Sequence, residues 1–191
     1  MATRKLVIAA LICLLFGTAS AFAEDALVLS VGAMNLTHDH QTVAGTDSTL
    51  QAGASGSGTY GIAWERRHYN GIAYGAEYLI YNNAISSANY SGSVTSRLLM
   101  LTLKKYHHPW AQTYPFVGVS AGLVDTSVPG VNGGTGAGPA LEVNGGVEFE
   151  WAHSIGFYTE LRGIYAPSGA IYGTRVNVSG IGLYAGLSLL F

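Results

Sequence analysis

The sequence predicts an all-β fold, an eight-stranded antiparallel up-and-down β-barrel that crosses a membrane. Three observations predict it. First, the closing segment places an apolar side chain at every second position: Ile181, Leu183, Ala185, Leu187, Leu189 and Phe191. Side chains alternate faces along a strand, so one face of this segment is continuously apolar and the other is small or polar. Second, only 10% of the residues are charged, against about 25% in a soluble globular domain. Beyond the N-terminal segment, no apolar stretch approaches the roughly 18 residues that mark a membrane helix. A soluble all-β protein or a closed membrane barrel remains, and low charge together with 12 tyrosines favours the barrel. Third, short connections alternate with long ones.

The N-terminus reads as an export signal. Arg4 and Lys5 form a positive start, Leu6 to Phe16 an apolar run, and Ala21-Phe-Ala23 a small-residue cleavage pattern. The expected division is a cleaved signal peptide over residues 1–23 and a barrel over 24–191. The apolar run is short of the roughly 20 residues of a spanning helix. Cys13 is the single cysteine and lies inside that run. The exported part therefore has no disulfide, no thiolate chemistry and no cysteine metal site. Removing Arg4 and Lys5 from nine basic residues leaves seven against eleven acidic ones, a net charge of −4. That charge excludes a nucleic-acid partner.

Strands are expected near 25–36, 57–68, 72–82, 93–106, 114–125, 139–151, 155–167 and 175–191. The second places Tyr60, Ile62 and Trp64 outward, with Glu65 inward. The third brings Glu77. The fourth is apolar on both faces around Leu98 to Leu103, so its register stays open. The fifth sends Val117, Val119, Ala121 and Leu123 outward. In the sixth, Leu141, Val143, Val147, Phe149 and Trp151 alternate with Glu142, Asn144, Gly146, Glu148 and Glu150. Carboxylates at alternate positions cannot face lipid, so that face points inward. The seventh repeats the pattern, with Phe157, Thr159 and Leu161 out and Tyr158, Glu160 and Arg162 in.

The connections Tyr69-Asn70-Gly71, 107–113 and 152–154 are short, and Asn-Gly is a strong hairpin signal. Those at 37–56, 83–92, 126–138 and 168–174 are longer and rich in Gly, Ser, Thr and Asn. Aromatic residues gather toward the short turns: Trp64, Tyr69, Tyr106, Trp110, Trp151 and Phe157, with Tyr114 beside them. They are expected to form an interfacial girdle. Arg66, Arg67, Lys104 and Lys105 share that level and are expected to meet lipid headgroups or water.

Several stretches resemble one family. Pro115-Phe-Val-Gly-Val-Ser-Ala-Gly122, Asn144-Gly-Gly-Val-Glu-Phe-Glu-Trp151, Gly156-Phe-Tyr-Thr-Glu-Leu-Arg162 and the terminal strand are similar to the small eight-stranded bacterial outer-membrane barrels, the opacity-like and outer-membrane-protein-A-like superfamily. The resemblance implies an integral outer-membrane location. It implies contact with membrane lipid and lipopolysaccharide. It also implies that Leu187, Leu189 and Phe191 are read by the barrel-assembly machinery. The family includes adhesins, envelope-stability proteins, narrow pores and a few lipid-modifying enzymes. No trailing peptidoglycan-binding domain is expected after Phe191.

The candidate chemistry is sparse. Lipid A deacylases of this size carry a His-x-Ser pair near the outer end of the seventh strand. Here Arg162-Gly-Ile-Tyr165-Ala-Pro-Ser168 has the serine without the histidine, so the general base is missing. His153-Ser154 falls on a short turn at the opposite end. His38-Asp39-His40 offers two imidazoles but no further ligand, and reads as a solvated loop. Gly133-Gly-Thr-Gly136-Ala-Gly138 precedes a strand rather than a helix and lacks Gly-Lys-Ser/Thr, so it is no phosphate loop. No catalytic residue, cofactor or metal is expected.

The interior charges remain as the candidate site: Glu77, Arg97, Glu142, Glu148, Glu160 and Arg162, with Arg97 depending on the open register. Buried charges must pair, so the expected role is a network that plugs the barrel. The outer loops then serve as the contact surface for a ligand. A narrow porin-like channel with these charges as its gate is the alternative, and a lipid A-modifying hydrolase is the third.

Overall fold

Two-residue alternation governs nearly every strand of the structure, a computed structural model that describes residues 23–36, 40–43, 46–51, 58–87, 90–107, 112–127, 135–171 and 174–191. The described strands are β1 (Ala23–Leu36), β2 (His40–Val43), β3 (Thr46–Gln51), β4 (Thr59–His68), β5 (Ile72–Ser87), β6 (Tyr90–Tyr106), β7 (Thr113–Ser127), β8 (Thr135–Ala152), β9 (Ile155–Tyr165), β10 (Pro167–Ile171), β11 (Thr174–Asn177) and β12 (Gly180–Leu190). Eight of them run up and down in the order β1-β4-β5-β6-β7-β8-β9-β12. The barrel closes where β12 pairs with β1, from Ala26↔Leu190 to Leu36↔Gly180. Phe191 extends that seam: its N–H donates to Asp25 O at 2.8 Å, and Asp25 N–H donates to Phe191 O at 3.0 Å. Closure leaves no barrel edge with unpaired backbone groups, as a lipid environment demands.

The outward face is apolar. Leu99, Leu101 and Leu103 on β6, Val117, Val119 and Leu123 on β7, Leu141 and Val143 on β8, Leu161 on β9 and Leu183 on β12 are all exposed. An exposed apolar belt of this extent is the lipid-facing surface of a membrane barrel. β6 adopts the register that buries Leu98, Met100, Thr102 and Lys104.

The short turns at Tyr69-Asn70-Gly71 and 152–154 are present as expected, while 108–111 lies outside the described residues. Gly71 has φ 77°, where a side chain would be strained, and its N–H donates to His68 O at 2.8 Å. Asn70 Oδ1 accepts from Ile72 N–H at 3.0 Å, an Asx-type contact. The β8–β9 turn follows a register shift between Glu150 and Ala152.

The other end carries more strand than expected. β5 and β6 stay paired out to Ser87↔Tyr90, and β3 joins β5 from Ser48↔Ser87 to Gln51↔Ala84. Alternation in polar, small-residue segments gives no apolar signal, so the ladder outruns its sequence trace. The seventh barrel strand ends at Tyr165 rather than 167, and the eighth starts at Gly180 rather than 175. Between them β10 and β11 form a separate two-stranded sheet. Pro167 explains the break, since it has no N–H to give the barrel ladder. Val178 N–H bonds Ala166 O at 3.2 Å and Ala166 N–H bonds Ser179 Oγ at 2.9 Å, tying the hairpin's base together.

The lumen is filled in two halves. Toward the long-loop end Met34, Leu79, Tyr81, Val94, Leu98, Met100, Val124, Ile164 and Tyr184 form an apolar cluster. Toward the short turns a smaller one gathers Ala26, Val28, Ala63, Phe116 and Tyr158. Charged side chains occupy the space between and below.

Candidate functional site

Inward positions of β5, β8 and β9 build the mid-height layer. Arg162 on β9 lies opposite Asn144 of β8 and Gly182 of β12. It is 1% exposed, and its guanidinium reaches three strands. Nη1 lies 2.8 Å from Glu77 Oε1 and 3.5 Å from Glu142 Oε2. Nε donates to Glu160 Oε1 at 2.8 Å, and Nη2 donates to the same oxygen. Glu142 Oε1 also accepts from Asn144 Nδ2 at 2.8 Å and from Ser120 Oγ at 3.3 Å. The Tyr184 ring stacks 4.6 Å from the guanidinium carbon, and Tyr184 OH donates to Tyr81 OH at 3.1 Å. Gly146 makes room for this layer: a Cβ there would stand 2.2 Å from Thr159 O and 2.7 Å from Glu160 Cβ.

A second layer lies nearer the short turns. Lys104 Nζ on β6 donates to Glu65 Oε1 at 2.6 Å. Arg67 on β4 binds Glu65 Oε2 through Nε and Nη2, at 3.2 and 3.1 Å, and Glu148 Oε1 through Nη1 at 2.9 Å. Tyr106 OH donates to Glu65 Oε2 at 3.0 Å, and Ser188 Oγ donates to Glu148 Oε1 at 2.5 Å. Arg67 sits over the Tyr106 ring and Lys104 over Phe116. Charge-assisted bonds of this kind are the strong ones, and both layers are made of them.

The structure therefore brings Glu77, Glu142, Glu148, Glu160 and Arg162 into the bore. Arg97 is a correction. It is exposed, on the outward face of β6, across from the equally exposed Asp125. The register that sends Leu99, Leu101 and Leu103 to lipid sends Arg97 with them, since the four are spaced by two. The same parity carries Lys104 inward, and Arg67 follows Glu65 on β4. Lys104 and Arg67 do not point to headgroups as expected; both are lumenal ion-pair partners, Lys104 buried and Arg67 bordering the cavity at the short-turn end. Arg66 keeps the outward parity of β4 but is buried there, bonded to Asp25 at 2.9 and 3.0 Å.

The girdle is corrected in part. Trp64 is on the outward face, and Trp151 and Phe157 are exposed neighbours with ring centroids 5.6 Å apart. Tyr69 is exposed on the β4–β5 turn. Tyr106 points inward instead, because Lys104 and Tyr106 share parity, and Tyr114 bends inward to donate to Glu150 Oε2 at 2.8 Å. Trp110 lies outside the described residues, as do His38 and Asp39. His153 stands exposed on the β8–β9 turn, its Nδ1 3.9 Å from Glu150 Oε1. Leu187, Leu189 and Phe191 all face outward on the closing strand.

Below the second layer the short-turn end opens into a cavity of about 320 Å³, lined by Glu24, Arg67, Tyr106, Tyr114, Glu148 and Glu150 among others. Arg67 and Tyr106 form its floor and belong to the network above.

No protein-family profile matches the chain, and no curated protein matches it in sequence. Solved structures do match its fold. Neisserial surface protein A (NspA) superposes with a TM-score of 0.60 at 14% identity, over 90% of this chain and 98% of that one. Outer membrane protein H (OprH) from P. aeruginosa superposes with a TM-score of 0.51 at 18% identity, over 89% of this chain and 99% of that one. The fold is that of the small integral outer-membrane β-barrels.

Proposed function

We propose that this protein is an outer-membrane barrel with a structural or surface-interaction role, its lumen plugged by the ion network and its outer loops serving as the contact surface. One observation carries the plug: Arg162, buried at mid-height, is bonded to carboxylates from three separate strands. An eight-stranded barrel has room inside for side chains and little else. The long-loop ends face outward from the cell in this reading, and the termini face the periplasm. Lipid and lipopolysaccharide are the partners of the exposed belt and girdle. Leu187, Leu189 and Phe191 are the proposed recognition element for the assembly machinery, and deleting Phe191 lowers the amount of heat-modifiable barrel recovered from the outer membrane. Unchanged recovery removes that role.

Conductance tests the plug against the gate. Refolded wild type and Arg162→Ala in planar bilayers both show negligible single-channel current if the network is structural. A clear rise in conductance for the variant, with little loss of stability, establishes a gated channel instead. Protease added to intact cells tests the orientation: it cuts within 37–56 or 126–138 and spares Tyr69-Asn70-Gly71. Cleavage at that turn alone inverts the topology and removes the basis of the contact surface.

A further inference from the structure

The lipid-facing wall is not uniform. An open trough of about 810 Å³ crosses it from β6 to β12. Its floor follows one ladder row: Thr102↔Ser120, Ser120↔Glu142, Glu142↔Ile164 and Ile164↔Gly180. The side chains of Thr102, Ser120, Glu142 and Ile164 are turned into the bore and buried, so backbone forms the floor. The residues on either side point outward and form two rims. One is Leu101, Ala121, Leu141 and Tyr165; the other is Leu103, Val119, Val143, Gly163 and Ile181. Five strands spaced by about 4.8 Å give the trough a length of roughly 19 Å. Thr102 lies near the short-turn end of β6, whereas Gly180 opens β12 at the long-loop end. The trough therefore climbs obliquely through the apolar belt.

Its width suits one hydrocarbon chain. Outward residues two apart on a strand stand roughly 7 Å apart. A chain carbon touching both rims needs about 3.5–4.0 Å to each. Gaps of that width recur around any barrel, and Gly163 distinguishes this one. It occupies an outward strand position facing lipid, where a β-branched or aromatic side chain is favoured. Packing does not demand a glycine there: a Cβ would meet Val143 Cγ2 at 3.4 Å and nothing nearer. A strand glycine without a packing reason marks a close approach by another molecule. Ala121 lowers the opposite rim two strands away.

The ends of the trough differ in charge. The long-loop end is lined by Tyr165, Ser179 and Ile181, all uncharged. At the other end Lys105 follows Leu103 on the outward face of β6, roughly 7 Å nearer the short turns. Lys105 is exposed, and its ammonium donates to a neutral group, the Asn70 carbonyl, at 2.5 Å. A cation at the membrane surface attracts lipid phosphate. A second barrel would rest on the rims, since its own wall is convex, and would leave the floor uncovered.

We propose that the trough is a phospholipid seat: one acyl chain lies along the row from Gly180 to Thr102, and the phosphate binds Lys105. The lipid belongs to the leaflet on the short-turn side, the periplasmic one. This rests on the lipid-facing belt and the orientation given above, and adds a fixed position within the surrounding lipid.

Photolabelling of the refolded full barrel tests the seat. The vesicles are phosphatidylcholine with a small fraction of phosphatidylethanolamine that carries a diazirine in one acyl chain. Adducts mapped by mass spectrometry are expected to concentrate around Leu103, Val119, Val143 and Tyr165, over the outward positions of β1 and β4. Gly163→Leu fills the trough and brings its labelling down to the level of the rest of the belt. If that variant does not fold, Ala121→Phe makes the same test from the opposite rim. Thr159→Leu, outward on β9 but outside the trough, leaves the pattern unchanged. Lys105→Gln lowers labelling in the trough and not elsewhere. Even labelling around the belt, or trough labelling that survives filling or Lys105→Gln, overturns the proposal. So does preferential capture of a lipopolysaccharide bearing the same diazirine, or a stable dimer that shields the trough. Even labelling sinks the seat and spares the lipid-facing belt, whereas a belt that takes no label sinks both.

Discussion

The two ends of the bore are filled by different physics. Toward the long loops, Leu79, Leu98, Met100 and Val124 close the lumen as an apolar core would. Toward the short turns, Glu65, Arg67, Lys104 and Glu148 close it with ion pairs. Arg162 sits at the boundary, its guanidinium against Glu77 and Glu160 and its carbon against the Tyr184 ring. Apolar filling tolerates the loss of a methyl group by partial collapse. An ion network does not, because each removed charge strands its partners. The two halves should therefore fail differently when cut.

Arg162→Ala gives the largest expected effect. It leaves three buried carboxylates without their common cation, and removing one partner of a buried pair typically costs about 3–5 kcal/mol. Urea unfolding of the refolded barrel measures it. A loss near zero would mean that water reaches the network and the bore is not closed there. Leu98→Ala in the apolar half is expected to be milder, about 2–3 kcal/mol, toward the lower end for a buried leucine, since the methionine beside it on the lumenal face can repack. If Leu98→Ala proved worse than Arg162→Ala, the apolar half would be the dominant closure and the ion network secondary.

The same contrast explains what the sequence disclosed. β8 and β9 were legible because a carboxylate at every second place can face only inward, so Glu142, Glu148, Glu160 and Arg162 fixed their own side. β6 was not. From Leu98 to Leu103 both faces are apolar, since one meets lipid and the other meets the apolar half of the lumen. Periodicity cannot separate two greasy environments. That single ambiguity misplaced Arg97, Lys104 and Tyr106 together, because all three hang on one parity. Counting cations does not separate the two registers, since Arg97 inward would bring Lys105 with it just as the observed register brings Lys104. Arg67 did carry a signal, two residues from Glu65 on the same face. The hairpin β10–β11 had a local cue in Pro167, whereas the β3–β5 pairing joins residues far apart in sequence with no apolar pattern to mark it.

Arg97→Ala sharpens the comparison from the other side and carries the smallest expected effect. Arg97 and Arg162 are the same residue type on strands of one barrel, and parity alone separates their surroundings. Arg162 is enclosed by carboxylates, while Arg97 is exposed outside, with Asp125 as its cross-strand neighbour. An exposed cross-strand charge pair contributes about 0–1 kcal/mol, and salt screens it. Arg97→Ala should therefore shift the urea midpoint little, and less at high salt. A loss approaching that of Arg162→Ala would place Arg97 inside, reverse the parity of β6, and take Lys104 away from Glu65. The charge balance of the whole bore would then have to be redrawn.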